Sequence, residues 1–168
     1  LAAASIMSKC PTATVIPFEV GVVDTQRLSI NSRDSVMTNA QKLASIGGGG
    51  TDCSAPLRYF NEQKAEIDLF IFLSDNESWA DGSQVSSYYR QYNKQVTSKM
   101  QEWDILKKRC PNAKLVCIDF VPNTSVQYVN RKDIFNVGVF SDNVFEAIQN
   151  FLENRTNWVD MVESTVLY

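Results

Sequence analysis

Four short runs of apolar, β-prone residues constrain the fold of this chain more than any other feature: 15–23, 69–73, 115–120 and 137–140. A strand that hides only one face alternates apolar and polar residues with a period of two. These runs are instead nearly continuous, as expected for strands covered on both faces. Segments of helical period lie between them. Val36, Met37, Ala40, Leu43 and Ala44 make one apolar stripe, begun near residues 32–34 and stopped by the glycines from Gly47 onward. Leu57, Phe60 and Ala65 make a second, with Pro56 in the first turn, where its missing N–H is harmless. Val96, Met100, Trp103 and Leu106 make a third, and Val144, Phe145, Ile148, Phe151 and Leu152 a fourth, capped by Ser141 or Asp142. All four stripes read as core faces. Residues 25–30, whose single charge is Arg27, predict an edge strand hairpinned onto 15–23. The order β-α-α-β-α-β-β-α predicts an α/β domain: an open, doubly wound, mostly parallel sheet with helices on both faces. The 168 residues, 44% of them hydrophobic, suit one such domain.

In sheets of this kind a ligand sits outside the carboxyl ends of the strands, where the strand order reverses. Two loops of this sequence are placed to meet there. One is Gly47-Gly48-Gly49-Gly50-Thr51-Asp52; the other, just past the run 69–73, is Ser74-Asp75-Asn76-Glu77-Ser78. The Thr51 hydroxyl and the Asp75 carboxylate are hard oxygen donors suited to Mg²⁺ or a similar cation, whose shell is usually completed by waters and a partner's oxygen. Gly49 and Gly50 belong to the same ligand loop, and Ser74, Asn76 and Ser78 are ligand-loop or supporting candidates. The competing reading is structural: Thr51 and Asp75 cap the elements that follow them, and the small polar residues satisfy a tight turn. The glycine run is not a P-loop, because it follows a helix and lacks the Lys-Ser/Thr pair.

Composition removes several classes of chemistry. The chain has no histidine, which excludes Ser-His-Asp and Cys-His catalysis and His-ligated zinc. Cys10, Cys53, Cys110 and Cys117 form no C-x-x-C pair and read as reduced thiols of a cytoplasmic protein, Cys117 as a small core residue. Sixteen basic against nineteen acidic residues, a net charge of −3, argue against a free-standing nucleic-acid binder. The one basic cluster, Lys94, Lys99, Lys107, Lys108 and Arg109, reads as a solvated helix face. No signal peptide or membrane-spanning run is present. Residues 1–7, apolar and Ala-rich, read as the middle of a helix, so the chain is expected to be a fragment of a longer protein.

An ordered set of short motifs carries a resemblance. Val15-Ile16-Pro17-Phe18, Arg33-Asp34-Ser35-Val36, the run from Gly47 to Asp52, Leu73-Ser74-Asp75-Asn76-Glu77-Ser78-Trp79, Pro111-Asn112-Ala113-Lys114-Leu115-Val116 and Phe140-Ser141-Asp142-Asn143-Val144-Phe145 span nearly the whole chain. Taken together they resemble a von Willebrand factor A (vWA) domain, and within that group the Ro autoantigen (TROVE) family of RNA-binding proteins. The resemblance implies a vWA or Rossmann-like fold and a metal-ion-dependent adhesion site (MIDAS) built from three loops. The first loop of that pattern carries Asp-x-Ser-x-Ser, the second a Thr and the third an Asp. Thr51 matches the second and Asp75 the third. Asp-x-Ser-x-Ser occurs nowhere in this chain.

The departure has consequences. The family's first strand is central in its sheet, so its loss implies a truncated N-terminus and a sheet edge open to a second chain. Thr51 and Asp75 alone would hold a divalent cation weakly or not at all, although the parent protein would bind Mg²⁺ or another divalent ion. The family implies a ribonucleoprotein role, and the missing histidine and the absence of any nucleophile-base constellation argue against an enzyme. A cation at the site would engage an acidic protein or a phosphate group, and small noncoding RNA would be bound through the parent protein. The alternative is a vWA interaction or adhesion scaffold with an incomplete site and no part in RNA binding.

Overall fold

The computed structural model describes residues 1–10, 12–47, 51–74, 98–120, 131–138 and 143–153. In chain order these form helix α1 (Ala2–Lys9), a 3-10 turn (Thr25–Leu28), α2 (Val36–Ala44), α3 (Ala55–Glu62), strand β1 (Leu69–Ser74), α4 (Ser98–Arg109), β2 (Lys114–Asp119), β3 (Ile134–Gly138) and α5 (Val144–Leu152). Among the described residues the sheet has three strands in the order β1-β2-β3. Both pairings are parallel, with Phe72 opposite Cys117 and Ile118 opposite Val137.

The two-sided burial read from the apolar runs is visible in how side chains sort by parity. Phe70 and Phe72 of β1, with Leu115 of β2, face a core completed by Leu57 of α3 and by Met100, Trp103 and Leu106 of α4. Leu69, Ile71 and Leu73 of β1, with Val116 and Ile118 of β2, face a second core made with Val144, Ile148 and Phe151 of α5. The apolar residues of β1 and β2 therefore have helices on both faces to pack against, which is why a polar residue at those positions would be costly. The sheet is an open parallel α/β sheet with helices on both sides.

Polar contacts fix where the helices dock. Asn61 of α3 donates to the Glu102 backbone carbonyl at 2.9 Å and to its carboxylate at 2.7 Å on α4. Trp103 is fully buried, and its indole N–H donates to Asp133 Oδ2 at 2.9 Å, joining α4 to the segment entering β3. Lys114, at the start of β2, donates to the carbonyls of Phe151 at 2.6 Å and Leu152 at 2.9 Å. Those carbonyls belong to the last turn of α5, where a cation is favoured by the helix dipole and by the orphan acceptors.

Three expectations are corrected. Residues 15–23 contain no strand; only an isolated antiparallel bridge joins Phe18 to Val22. The segment folds back on itself: Val23 N donates to Pro17 O at 2.8 Å and Glu19 N to Gly21 O at 2.9 Å. Proline lacks the ladder donor, and glycine permits the tight reversal, so this apolar run closes locally instead of extending. Phe18 still packs on the sheet, its ring 5.2 Å from that of Phe72. The expected edge strand at 25–30 is the 3-10 turn, begun where the Asp24 carboxylate accepts from Gln26 N at 2.9 Å and ended at Ser29 with φ of 48°.

The stripe on α2 is not a core face. Met37 is 60% exposed, and the buried residue of this helix is Asn39. Its amide donates to Asn31 O at 2.7 Å, and its carbonyl oxygen accepts from Asn31 N at 3.3 Å. The helix starts one residue later than the motif suggested, with Ser35 Oγ accepting from Thr38 N at 3.0 Å. Val96, Ser141 and Asp142 lie outside the described residues, as do 139 and 140 of the fourth apolar run.

Two predictions follow from the α4–β3 joint. Trp103→Ala should destabilise the fold by about 3–5 kcal/mol through the cavity it leaves, whereas Trp103→Phe keeps most of the packing and should cost about 1–2 kcal/mol for the lost hydrogen bond; urea titration monitored by circular dichroism separates the two. Burial alone would raise the Asp133 carboxyl. The hydrogen bonds from Arg131 and Trp103, with the Arg131 charge, outweigh it and hold the carboxyl below its ordinary value of 3.8. A depressed carboxylate stabilises the fold above its unfolded-state value, and that stability is lost as pH falls through the folded-state value. The stability difference between wild type and Asp133→Asn should therefore be largest at neutral pH and shrink below about pH 4, as read from denaturation midpoints across a pH series.

Candidate functional site at the carboxyl end of the sheet

The loop entering α3 is held by Asp52. Asp52 is buried, and one carboxylate oxygen accepts from Ser54 N at 2.9 Å and Ser54 Oγ at 2.6 Å. Its other oxygen faces Arg58 Nη2 at 3.3 Å, and Arg58 also donates to Ser54 Oγ at 2.6 Å. Asp52 N donates to Glu19 O at 2.7 Å, which pins the turn at 17–23 against this loop. An aspartate that gathers the donors at a helix start is a cap, and it fixes the backbone on which the half-buried Thr51 is carried. The residue next to the expected ligand thus performs the capping role that the structural reading had given to Thr51. A buried Asp two residues before Ser54 and six before Arg58 was the available signal.

Cys53 Sγ lies 3.9 Å from Ser74 Oγ, so the Thr51 loop reaches the last residue of β1. Asp75, Asn76 and Ser78, together with Gly49 and Gly50, lie outside the described residues. What the structure brings together around Ser74 is a mixed set. It comprises the thiols of Cys53 and Cys117 and the ammonium of Lys99, with Thr51 two residues from Cys53. Burial pushes the Cys117 thiol well above the ordinary thiol range; the nearby Lys99 charge pulls it down, and the Cys53 thiol pushes it further up. The thiol therefore stays protonated at neutral pH and serves neither as nucleophile nor as metal ligand.

Among the described residues, no group of three or more His, Cys, Asp or Glu side chains could hold a metal ion. A hard divalent cation needs about six oxygen donors. Two hydroxyls beside two thiols and an ammonium do not supply them, so these side chains alone do not fit a Mg²⁺ site. Any such site depends on the Asp75 loop.

The basic cluster on α4 is also corrected. Lys99 is wholly buried instead of lying on a solvated face. Lys107 donates to the carbonyls of Pro111 and Ala113, and Arg109 Nε donates to Ala65 O at 3.0 Å. These charges close the end of α4 and the turn beyond it. Lys108 is exposed, and Lys94 lies outside the described residues. The placement of Lys99 was readable in the sequence: Lys99, Trp103, Leu106 and Cys110 share one stripe at i, i+4, i+7 and i+11, and the last three are all buried.

Thiol chemistry offers a check on this geometry. Cys10 is exposed and its thiol is lowered chiefly by a hydrogen bond with Thr12, whereas Cys53 and Cys110 are buried and Cys117 packs against the core. With a disulfide reagent at neutral pH, Cys10 should react first and alone. The other three should react only on the timescale of unfolding, as counted by mass spectrometry of the labelled chain.

Comparison with known proteins agrees with this architecture. The crystal structure of the Deinococcus radiodurans RO (RSR) protein superposes with a TM-score of 0.69 at 22% identity, covering 92% of this chain and 28% of that one. The RNA-binding protein RO60 of the same organism is 38% identical over 53 residues, which are 32% of this chain and 10% of that protein. The chain thus matches only a minor part of each relative's length. No helix among the described residues is long and apolar enough to cross a membrane. The family model described as the Ro60 vWA domain matches residues 2–152, nearly the whole chain, and the chain belongs to that family.

Proposed function

We propose that this chain is the vWA module of a longer Ro-like RNA-binding protein and contributes to ribonucleoprotein assembly rather than gripping the RNA itself. The match of residues 2–152 to the Ro60 vWA domain carries the reading. The local match to a protein named as RNA-binding supports the link to RNA in the parent. The division of labour rests on charge. The chain is net acidic, and of its α4–β2 basic residues Lys107, Arg109 and Lys114 are engaged with backbone carbonyls instead of being offered to phosphate. With no histidine in the chain, the module is read as non-catalytic, and the reduced-thiol reading of its cysteines supports a cytoplasmic setting.

The narrower part of the proposal concerns the mode of assembly. Thr51, whose loop reaches Ser74 through Cys53, and Asp75, the next residue after Ser74, would present a divalent cation to an acidic side chain or a phosphate group of a partner. Asp75 follows directly on β1, so it would be held by a buried strand end, and its removal would leave the two cores untouched.

Asp75→Ala should therefore abolish Mg²⁺ binding measured by calorimetry while moving the melting temperature by only a few degrees; a fall of tens of degrees would make Asp75 structural. Fluorescence polarisation of a labelled small noncoding RNA tests the wider claim. The isolated chain should bind it only at micromolar levels or weaker and with a steep salt dependence. Nanomolar, salt-resistant binding would place the RNA contact in this module.

A further inference from the structure

Among the described residues, β1 carries one row of backbone polar groups that meets no partner. Residues of an extended strand send their N–H and C=O groups to alternate sides. Lys114 N donates to Asp68 O at 2.9 Å and Phe120 N to Ser74 O at 3.1 Å, so the even-numbered residues of β1 bond to β2. Leu69, Ile71 and Leu73 therefore point their N–H and C=O groups away from β2, at the outer edge of the order β1-β2-β3. The apolar run at 15–23 closes on itself instead of pairing there. The side chains of the same three residues, on the α5 face, are only half-buried, whereas Val116 and Ile118 on that face of β2 are almost wholly hidden.

Open strand edges are normally blunted by charge, proline or a bulge. The other outer strand, β3, follows that rule, with Asn136 inside it and Arg131, Lys132 and Asp133 just before it. β1 carries no such device. Its residues Leu69-Phe70-Ile71-Phe72-Leu73 read the same in both directions about Ile71. Antiparallel pairing with a second copy about that point sets Ile71 opposite itself, Leu69 opposite the partner's Leu73 and Phe70 opposite the partner's Phe72. The aliphatic pairs then fall where an antiparallel ladder exchanges both hydrogen bonds, so all the outward groups of 69, 71 and 73 are satisfied at once. Like side chains meet on each face, aliphatic on the α5 side and aromatic on the other.

We propose that β1 is a self-association edge: two copies of this chain pair antiparallel through residues 69–73 about a two-fold axis at Ile71, joining their two sheets into one. Such a contact uses the same patch on both copies and closes after two. It leaves the guarded β3 strands at the ends of the joined sheet. The inference does not depend on a cation at the Thr51 loop.

Sedimentation equilibrium of the intact chain, with amide hydrogen exchange on the same samples, is the test. The wild-type mass should rise to that of two chains through the micromolar range, and exchange at Leu69, Ile71 and Leu73 should slow in step with it. Because Ile71 faces its own copy, Ile71→Lys and Ile71→Glu should each remain at the mass of one chain, and an equimolar mixture of the two should return to the mass of two. A one-chain mass for wild type at every concentration would overturn the proposal; slow exchange at the three amides in that case would mean that another segment covers the edge. A two-chain mass persisting in each charged variant alone would also overturn it, by placing the contact on another surface. Where a substitution costs the folded circular dichroism signal, wild-type exchange decides alone: protection of these amides must grow with concentration, and protection independent of concentration contradicts the proposal.

Discussion

The two-sided burial of β2 is the constraint on which the rest of this structure depends. Lys114–Asp119 lies between β1 and β3 and alternates Leu115 and Cys117 toward α3 and α4 with Val116 and Ile118 toward α5. Leu115, Val116 and Ile118 are almost wholly hidden from solvent. Full burial of an aliphatic side chain contributes about 1.5–3 kcal/mol each. Moving the register by one residue would exchange the two faces and misfit both helix layers at once. That is why the parallel order is well determined, and why the carboxyl ends of β1 and β2 form a fixed platform for the loops above them.

On that platform the polar residues divide into those that build the loop and those left for function. Asp52, Ser54 and Arg58 satisfy one another and the start of α3. The chain returning from the turn at 17–23 is tied to the same loop through Glu19. Thr51 is carried on this framework, and Cys53 links it to Ser74. Among the described residues, the wholly buried Lys99 lies on the same face of the sheet, its Nζ 5.7 Å from the centroid of the Phe72 ring.

Much of this was legible in the sequence, and the parts that were not share a cause. The runs at 69–73 and 115–120 become β1 and β2 because nothing in them competes with extension. The run at 15–23 has the same composition, but it contains Pro17 and Gly21, and backbone chemistry overrides hydrophobicity there. The α2 stripe misled because periodicity reports an apolar face without saying whether a partner covers it, and Met37 is left open while Asn39 is buried through paired amides. The stripes on α3, α4 and α5 named the core residues Leu57, Met100, Trp103, Leu106, Val144, Ile148 and Phe151, but Phe145 and Leu152 are exposed. Within the candidate site, the approach of the Thr51 loop to the carboxyl end of β1 was readable from strand-end position. The capping by Asp52 and the burial of Lys99 were not read, because polar residues were assigned to solvent or to function and not to the interior.

Membership in the Ro60 vWA family and the three-layer architecture leave one question on which the account turns: whether the carboxyl end of the sheet is where a ligand is received. Chemical-shift mapping of the ¹⁵N-labelled chain during Mg²⁺ titration answers it most directly. The account predicts that amide shifts concentrate at Thr51, Asp52, Cys53 and Ser74, with β3 and the far ends of the helices unmoved. Shifts centred instead on the exposed acidic residues Glu62, Glu66 and Asp68, at the opposite end of β1, would contradict it.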